Sequence, residues 1–204
     1  VNALTPWYVP VARAVPAIVV AIVVTFSADH SPTLGYLTFG AFGVVSGAVL
    51  VAAALRAAAR GIDRALTLAQ GLLGVVAGVV ALAITGGGLP FLVFLITAFS
   101  ALTGFLELYL GMRGRRRVQG AGDRIFVGGL TVLLAIVVLL VPPDYVQEFT
   151  GPDGVERALT ASIIVVGTLG AYWAILGVYL VIAGLSLKWS AAPVTAKAPE
   201  PGEA

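Results

Sequence analysis

The chain has 204 residues, 59% of them hydrophobic and 11% charged, with a mean hydropathy of +1.03. Soluble domains carry about 25% charged residues, so a chain this apolar cannot cover itself for water and reads as an integral membrane protein. The absence of cysteine excludes disulfides and thiolate sites, and a single histidine, His30, excludes a zinc site on paired histidines.

Taken in order, residues 1–13 hold Pro6, Pro10 and the pair Trp7-Tyr8, which suits an interfacial lead-in at headgroup level. The first apolar run, Ala14 to Ala28, is short for a bilayer. It needs residues before Arg13, whose side chain is expected to snorkel toward the headgroups. A basic start and a short apolar run also suit a signal peptide. The match of this segment to later parts of the chain favours a span. Five further spans follow: Leu34 to Leu55, Ala65 to Thr85, Leu89 to Met112, Ile125 to Val141 and Ala158 to Leu187. Uniform apolar runs of this length do not alternate as barrel strands do, so strands are not expected in the spans. After Trp189, residues 190–204 are polar and rich in Pro and Ala, the composition of a disordered tail.

The charges sort by loop. Eleven of the twelve Lys and Arg residues lie at the N-terminus, in the loops after the second and fourth spans, or at the C-terminus; Arg157 is the exception. The positive-inside rule then places both termini in the cytoplasm. The opposite face carries Asp29, Asp144, Glu148, Asp153 and Glu156 and is acidic. There, Asp153-Gly154 after Pro152 reads as a turn.

Three segments align without gaps: GAFGVVSGAVLVAAALR from Gly40, TAFSALTGFLELYLGMR from Thr97, and GAYWAILGVYLVIAGLS from Gly170. Each opens with a small residue, Ala and an aromatic, namely Phe42, Phe99 or Tyr172. Each then has glycine at Gly47, Gly104 or Gly177, and a small residue at Ala54, Gly111 or Gly184. A seven-residue spacing is nearly two helical turns and draws a stripe down one face. In lipid such stripes let helix backbones approach closely. The expected fold is therefore all-α, with six transmembrane helices built from three repeated helical hairpins at about 10–56, 63–113 and 123–188. Gly40, Gly47, Gly104, Gly111, Gly170, Gly177 and Gly184 are the expected packing positions.

These hairpins resemble the HdeD family of bacterial acid-resistance membrane proteins. The stretches that carry the resemblance are LGYLTFGAFGVVSGAVLVAAALR, LLGVVAGVVAL, FLITAFSALTGFLELYLGMRGRR, and GGLTVLLAIVVLLVPPD with GTLGAYWAILGVYLVIAG, covering most of Leu34 to Lys188. The resemblance implies a stress-associated protein of the bacterial inner membrane and supplies no catalytic motif. The acidic segment Pro142 to Arg157 and the Pro-rich tail depart from the family pattern and leave room for a specialised partner role.

Glu107 is the one carboxylate deep in an apolar run. It stands where the other two repeats have Leu50 and Leu180, and its spacing puts it on one helix face with Gly104 and Gly111. An ionisable group in a span is costly and is a functional hypothesis by default. A proton-sensing or proton-carrying role is one reading. The other is a structural carboxylate bonded to Gln70, a hydroxyl or a loop arginine. Arg113, Arg115, Arg116, Arg117 and Arg124 form the densest basic cluster, suited to setting topology or to binding anionic lipid or an acidic partner. His30, beside Asp29 in an outer loop, reads as a solvated loop residue or as a sensor of external acid.

No Ser-His-Asp set, phosphate loop or metal spacing is present, so no enzyme activity, cofactor or metal is expected. Nucleic acid is not an expected partner either, since no aromatic or folded module accompanies the basic cluster. The expected partners are the lipid bilayer and other membrane subunits or further copies of the chain. The expected function is that of a non-enzymatic accessory or structural membrane protein. The alternative is a small transporter or proton-responsive channel that uses Glu107.

Overall fold

Six apolar runs without alternation leave the backbone one way to satisfy its hydrogen bonds in lipid, the helix. A computed structural model of the chain describes residues 6–57, 61–116, 118–152 and 154–190. It contains α1 (Tyr8–Phe26), α2 (Pro32–Arg56), α3 (Ile62–Ala83), α4 (Gly88–Gly114), α5 (Ala121–Leu139) and α6 (Ala161–Ser190). All six are long and apolar enough to cross a membrane. The expected tail beyond Ser190, Arg117 and Asp153 lie outside the described residues.

Local chemistry sets the helix ends. Ser31 accepts a hydrogen bond from Leu34 N–H and Pro32 opens α2, so one orphan donor is capped and another is absent. Gly120, at φ +83°, makes the left-handed turn into α5.

Two expectations are corrected. The first helix starts at Tyr8, so residues 8–13 of the stretch taken for an interfacial lead-in are helical. Pro10 does not prevent this, because a proline in the first helical turn removes only an N–H that had no partner. The segment Pro142 to Arg157 is not a plain loop: it holds strands β1 (Val146–Thr150) and β2 (Glu156–Thr160), paired antiparallel with Phe149 opposite Arg157. Residues 158–160, expected in the last span, belong to β2. Gly154 at φ +74° donates to Gly151 O at 2.9 Å and closes the turn.

The helices form a closed ring. Each touches the next in sequence, α6 returns to α1, and α2 also touches α4 and α6 across the interior. The tight seams are α2–α3, α4–α5 and α6–α1. The glycine stripes of α2, α4 and α6 thus meet the helix that follows the hairpin, and for α6 that helix is α1. A Cβ built on Gly47 would sit 2.6 Å from Gly71 O, and one on Gly104 would sit 2.9 Å from Val132 N. Gly40 faces Gly78 O, and Gly111 faces Ile125 N. On α6, Gly170, Gly177 and Gly184 face Val24, Ile18 and Val11 of α1.

The interior toward the β-hairpin side is filled mainly by large apolar side chains. Tyr36, Phe39, Leu92, Ile96, Val166, Leu169 and Trp173 are buried there together. Phe39 meets Phe99 edge to face at 5.3 Å, and Phe42 meets Trp173 at 5.7 Å. Large side chains such as Val19, Leu72, Phe94, Phe105 and Leu133 point outward, as a lipid-facing surface requires.

Candidate functional site

Glu107 lies seven residues before the end of α4, about 10 Å along the axis from the basic face. It is 5% exposed. Its side chain turns away from the α5 seam that Gly104 and Gly111 occupy and enters the ring interior. Three residues rotate a helix by 300°, which carries Glu107 off the stripe by about 60°. There it meets two other helices. Gln70 of α3 donates Nε2–H to Glu107 Oε2. Arg13 of α1 places a guanidinium nitrogen 3.7 Å from Glu107 Oε1.

Arg13 corrects the sequence expectation. It does not snorkel to the headgroups: its side chain is 12% exposed and it also donates through Nε to Ser46 Oγ of α2 at 3.3 Å. The cluster of Arg13, Ser46, Gln70 and Glu107 therefore ties α1, α2, α3 and α4 together. A buried carboxylate and guanidinium each lose several kcal/mol of hydration, and their pairing with further hydrogen bonds offsets that loss. The paired charges are what make Glu107 tolerable in a span.

The aligned repeat positions converge on the same interior. Phe42, Phe99 and Tyr172 line one cavity of about 30 Å³ together with Arg13, Gln70 and Glu107. Leu50, Glu107 and Leu180 line a second cavity of about 40 Å³ nearer the basic face. Above Glu107, the Tyr172 hydroxyl and Thr131 Oγ1 are 3.0 Å apart, and Thr131 also donates to Val127 O at 2.8 Å. Below it, Tyr179 donates to Asp123 Oδ1 at 2.9 Å and stacks on Phe126 at 4.0 Å.

The basic cluster is distributed rather than gathered. Arg113 Nε lies 3.3 Å from Asp63 Oδ1, while Arg115 and Arg116 are exposed at the end of α4. Arg116 adopts φ +68°, a left-handed residue that ends the helix. Arg124 instead faces the second cavity. Nearby, Lys188 sits over the Trp7 ring at 4.8 Å and closes α6 onto the start of α1.

On the opposite face, Asp29 is engaged locally. It accepts from Ser31 N–H at 2.9 Å and from Ser31 Oγ at 2.7 Å, while half-buried His30 lies between the two residues in sequence.

Arg13 and Ser46 are the site residues that sequence reasoning missed. A signal for Arg13 existed: a span too short without the residues before it puts that arginine at least one turn inside. Nothing local marked Ser46, one hydroxyl among many. No protein-family model, curated protein or solved structure matches this chain.

Proposed function

We propose that this chain is a non-enzymatic, HdeD-like protein of the bacterial inner membrane, with both termini on the cytoplasmic side. In this reading it works through helix packing, either with further copies or as an accessory subunit of a larger membrane assembly. The observation that carries the proposal is the size of the interior. The two cavities hold about 30 and 40 Å³, against the roughly 300 Å³ or more of a small-molecule site. Nothing larger than water fits in either of them, and Glu107 there is paired with Arg13. The outer surface is apolar on every helix, and the acidic β-hairpin stands clear of it as a docking element. Arg113, Arg115 and Arg116 supply the opposite face with charge for anionic lipid.

Native mass spectrometry from lipid nanodiscs tests this. The expected result is an assembly heavier than one chain. A lone monomer that moves ions in liposomes would replace the proposal.

A second reading has its own support, because Glu107 lines both cavities. As a proton-responsive group it would give the membrane a sensor. Glu107→Gln at normal protein level, with unchanged acid survival and proton flux, would remove that reading.

A further inference from the structure

The two cavities share four walls, Arg13, Leu50, Glu107 and Val127. They are stacked along the ring axis. The lower one is bounded by Val9, Gln119, Gly120 and Leu187, all at helix ends or loops on the basic side. The upper one extends to Thr131 and Tyr172, about 15 Å along α5 from its start. Beyond it stands the aromatic and aliphatic plug around Phe39, Trp173 and Leu169.

Both spaces contain polar atoms without a protein partner. Gln70 is 5% exposed, and its Oε1 accepts no hydrogen bond. Arg124 Nη1, beside the lower cavity, is buried and donates none. An unmet buried donor or acceptor is costly, and the usual remedy is ordered water. The gap between Arg13 and Glu107 points the same way, since 3.7 Å exceeds hydrogen-bond length. A water needs about 15 Å³ and two to four polar partners. The upper cavity offers room for about two by that measure, with Gln70, Glu107, Ser46, Thr131 and Tyr172 as partners.

We propose that the two cavities form a one-sided hydrated shaft. It admits water from the basic face past the Arg13–Glu107 pair, binds it at Gln70 Oε1, and ends at the Thr131–Tyr172 hydroxyls. The plug beyond is packed with large apolar side chains, so the shaft ends there. This goes beyond the packing function proposed above and does not depend on which partner the protein has.

The unsubstituted chain supplies the first test. X-ray radiolysis turns bound water into hydroxyl radicals that oxidise the side chains touching it. Tyr172 faces the shaft, whereas Trp173, its neighbour in sequence and equally oxidisable, is 1% exposed and packs on Phe42. In purified protein Tyr172 is oxidised several-fold faster than Trp173. Equal protection of both overturns the proposal.

The second test uses the chain's lack of cysteine. Val127→Cys and Ser46→Cys place thiols in the shared wall and the upper cavity, and Leu92→Cys places one in the plug. Silver ion is small enough to follow water and blocks a thiol by displacing its proton. Silver applied to the basic side of membrane vesicles protects positions 127 and 46 from maleimide added after the protein is denatured, and leaves position 92 unprotected. Protection from the opposite side, or at 127 but not 46, refutes the shaft as described.

Discussion

Glu107→Leu restores the residue type that the other two repeats carry at this position, so on packing grounds alone it should be harmless. The structure predicts the opposite. The substitution leaves the Arg13 guanidinium without its carboxylate and strips Gln70 Nε2 of its acceptor. Breaking a buried ion pair by removing one partner costs about 3–5 kcal/mol, and an unsatisfied buried amide about 1–3 kcal/mol. Arg13 keeps 12% exposure and lies about 8 Å from the start of α1, so relaxation toward the headgroups recovers part of this. A loss of about 3–5 kcal/mol in total is the expected result. Adding Arg13→Leu removes the stranded charge and should return at least about 2 kcal/mol, because a buried pair replaced by apolar groups is often close to neutral. The assay is a double-mutant cycle on reversible unfolding in mixed micelles, followed by tryptophan fluorescence. If the double variant is at least as unstable as the two single losses added together, the two residues are not coupled and the buried pair is wrong.

Gly47→Ala and Gly129→Ala should move stability in opposite directions. The first puts a methyl 2.6 Å from Gly71 O and costs about 1–3 kcal/mol, while the second meets nothing within 4 Å and gains up to about 1 kcal/mol of helix propensity. Thermal melting of the two variants in one detergent decides it, and shifts of the same sign would deny the α2–α3 seam. Tyr179→Phe loses the bond to Asp123 but keeps the stack on Phe126, so unfolding should become easier by about 1 kcal/mol. A variant as stable as the parent would show the bond is not formed. Gly154→Ala forces a side chain into φ +74° and should loosen the β-hairpin by about 1–2 kcal/mol. Proteolysis within residues 146–160 should accelerate while the unfolding of the helices stays unchanged, and equal cleavage rates would contradict the turn.

The six spans were legible because sustained apolarity is a property of each segment alone. The glycine stripes were legible for the same reason, but their partners were not. The close approaches join α2 to α3, α4 to α5 and α6 to α1. A stripe says that a backbone comes near and does not say which one. The β-hairpin had a local signal in VQEFT and ERALT flanking a Gly-Pro-Asp-Gly turn, yet in so apolar a chain strands were weighed only as spans. The start of α1 at Tyr8 was legible only in part, since the shortness of the apolar run required residues before Arg13 without saying how many. The Arg13–Glu107 contact depends on how the ring closes, and no local pattern encodes that.

Ring closure also explains why a single repeat carries the carboxylate. Leu50, Glu107 and Leu180 line one cavity of about 40 Å³, so residues placed at these aligned positions share one small space. Three carboxylates there would repel strongly at the low effective dielectric of the interior, and at most one would stay charged. Arg13 reaches that space from α1. Arg124 and Asp123 line the same cavity from α5, so two guanidiniums already face two carboxylates there and a further acid is in excess. Repeat symmetry was therefore broken at an axial position, where a charge reaches several helices at once. A carboxylate on the outer face of the same helix would have met lipid and no arginine. The same logic predicts the outcome of Leu180→Glu in the unaltered background. The added acid is a third carboxylate against two guanidiniums, so the variant should be destabilised by several kcal/mol, and Glu107→Leu added to it should restore part of the loss by returning the cavity to two acids for Arg13 and Arg124. Micelle unfolding of the single and double variants measures this. A double variant no more stable than Leu180→Glu alone would show that the aligned positions do not share one interior.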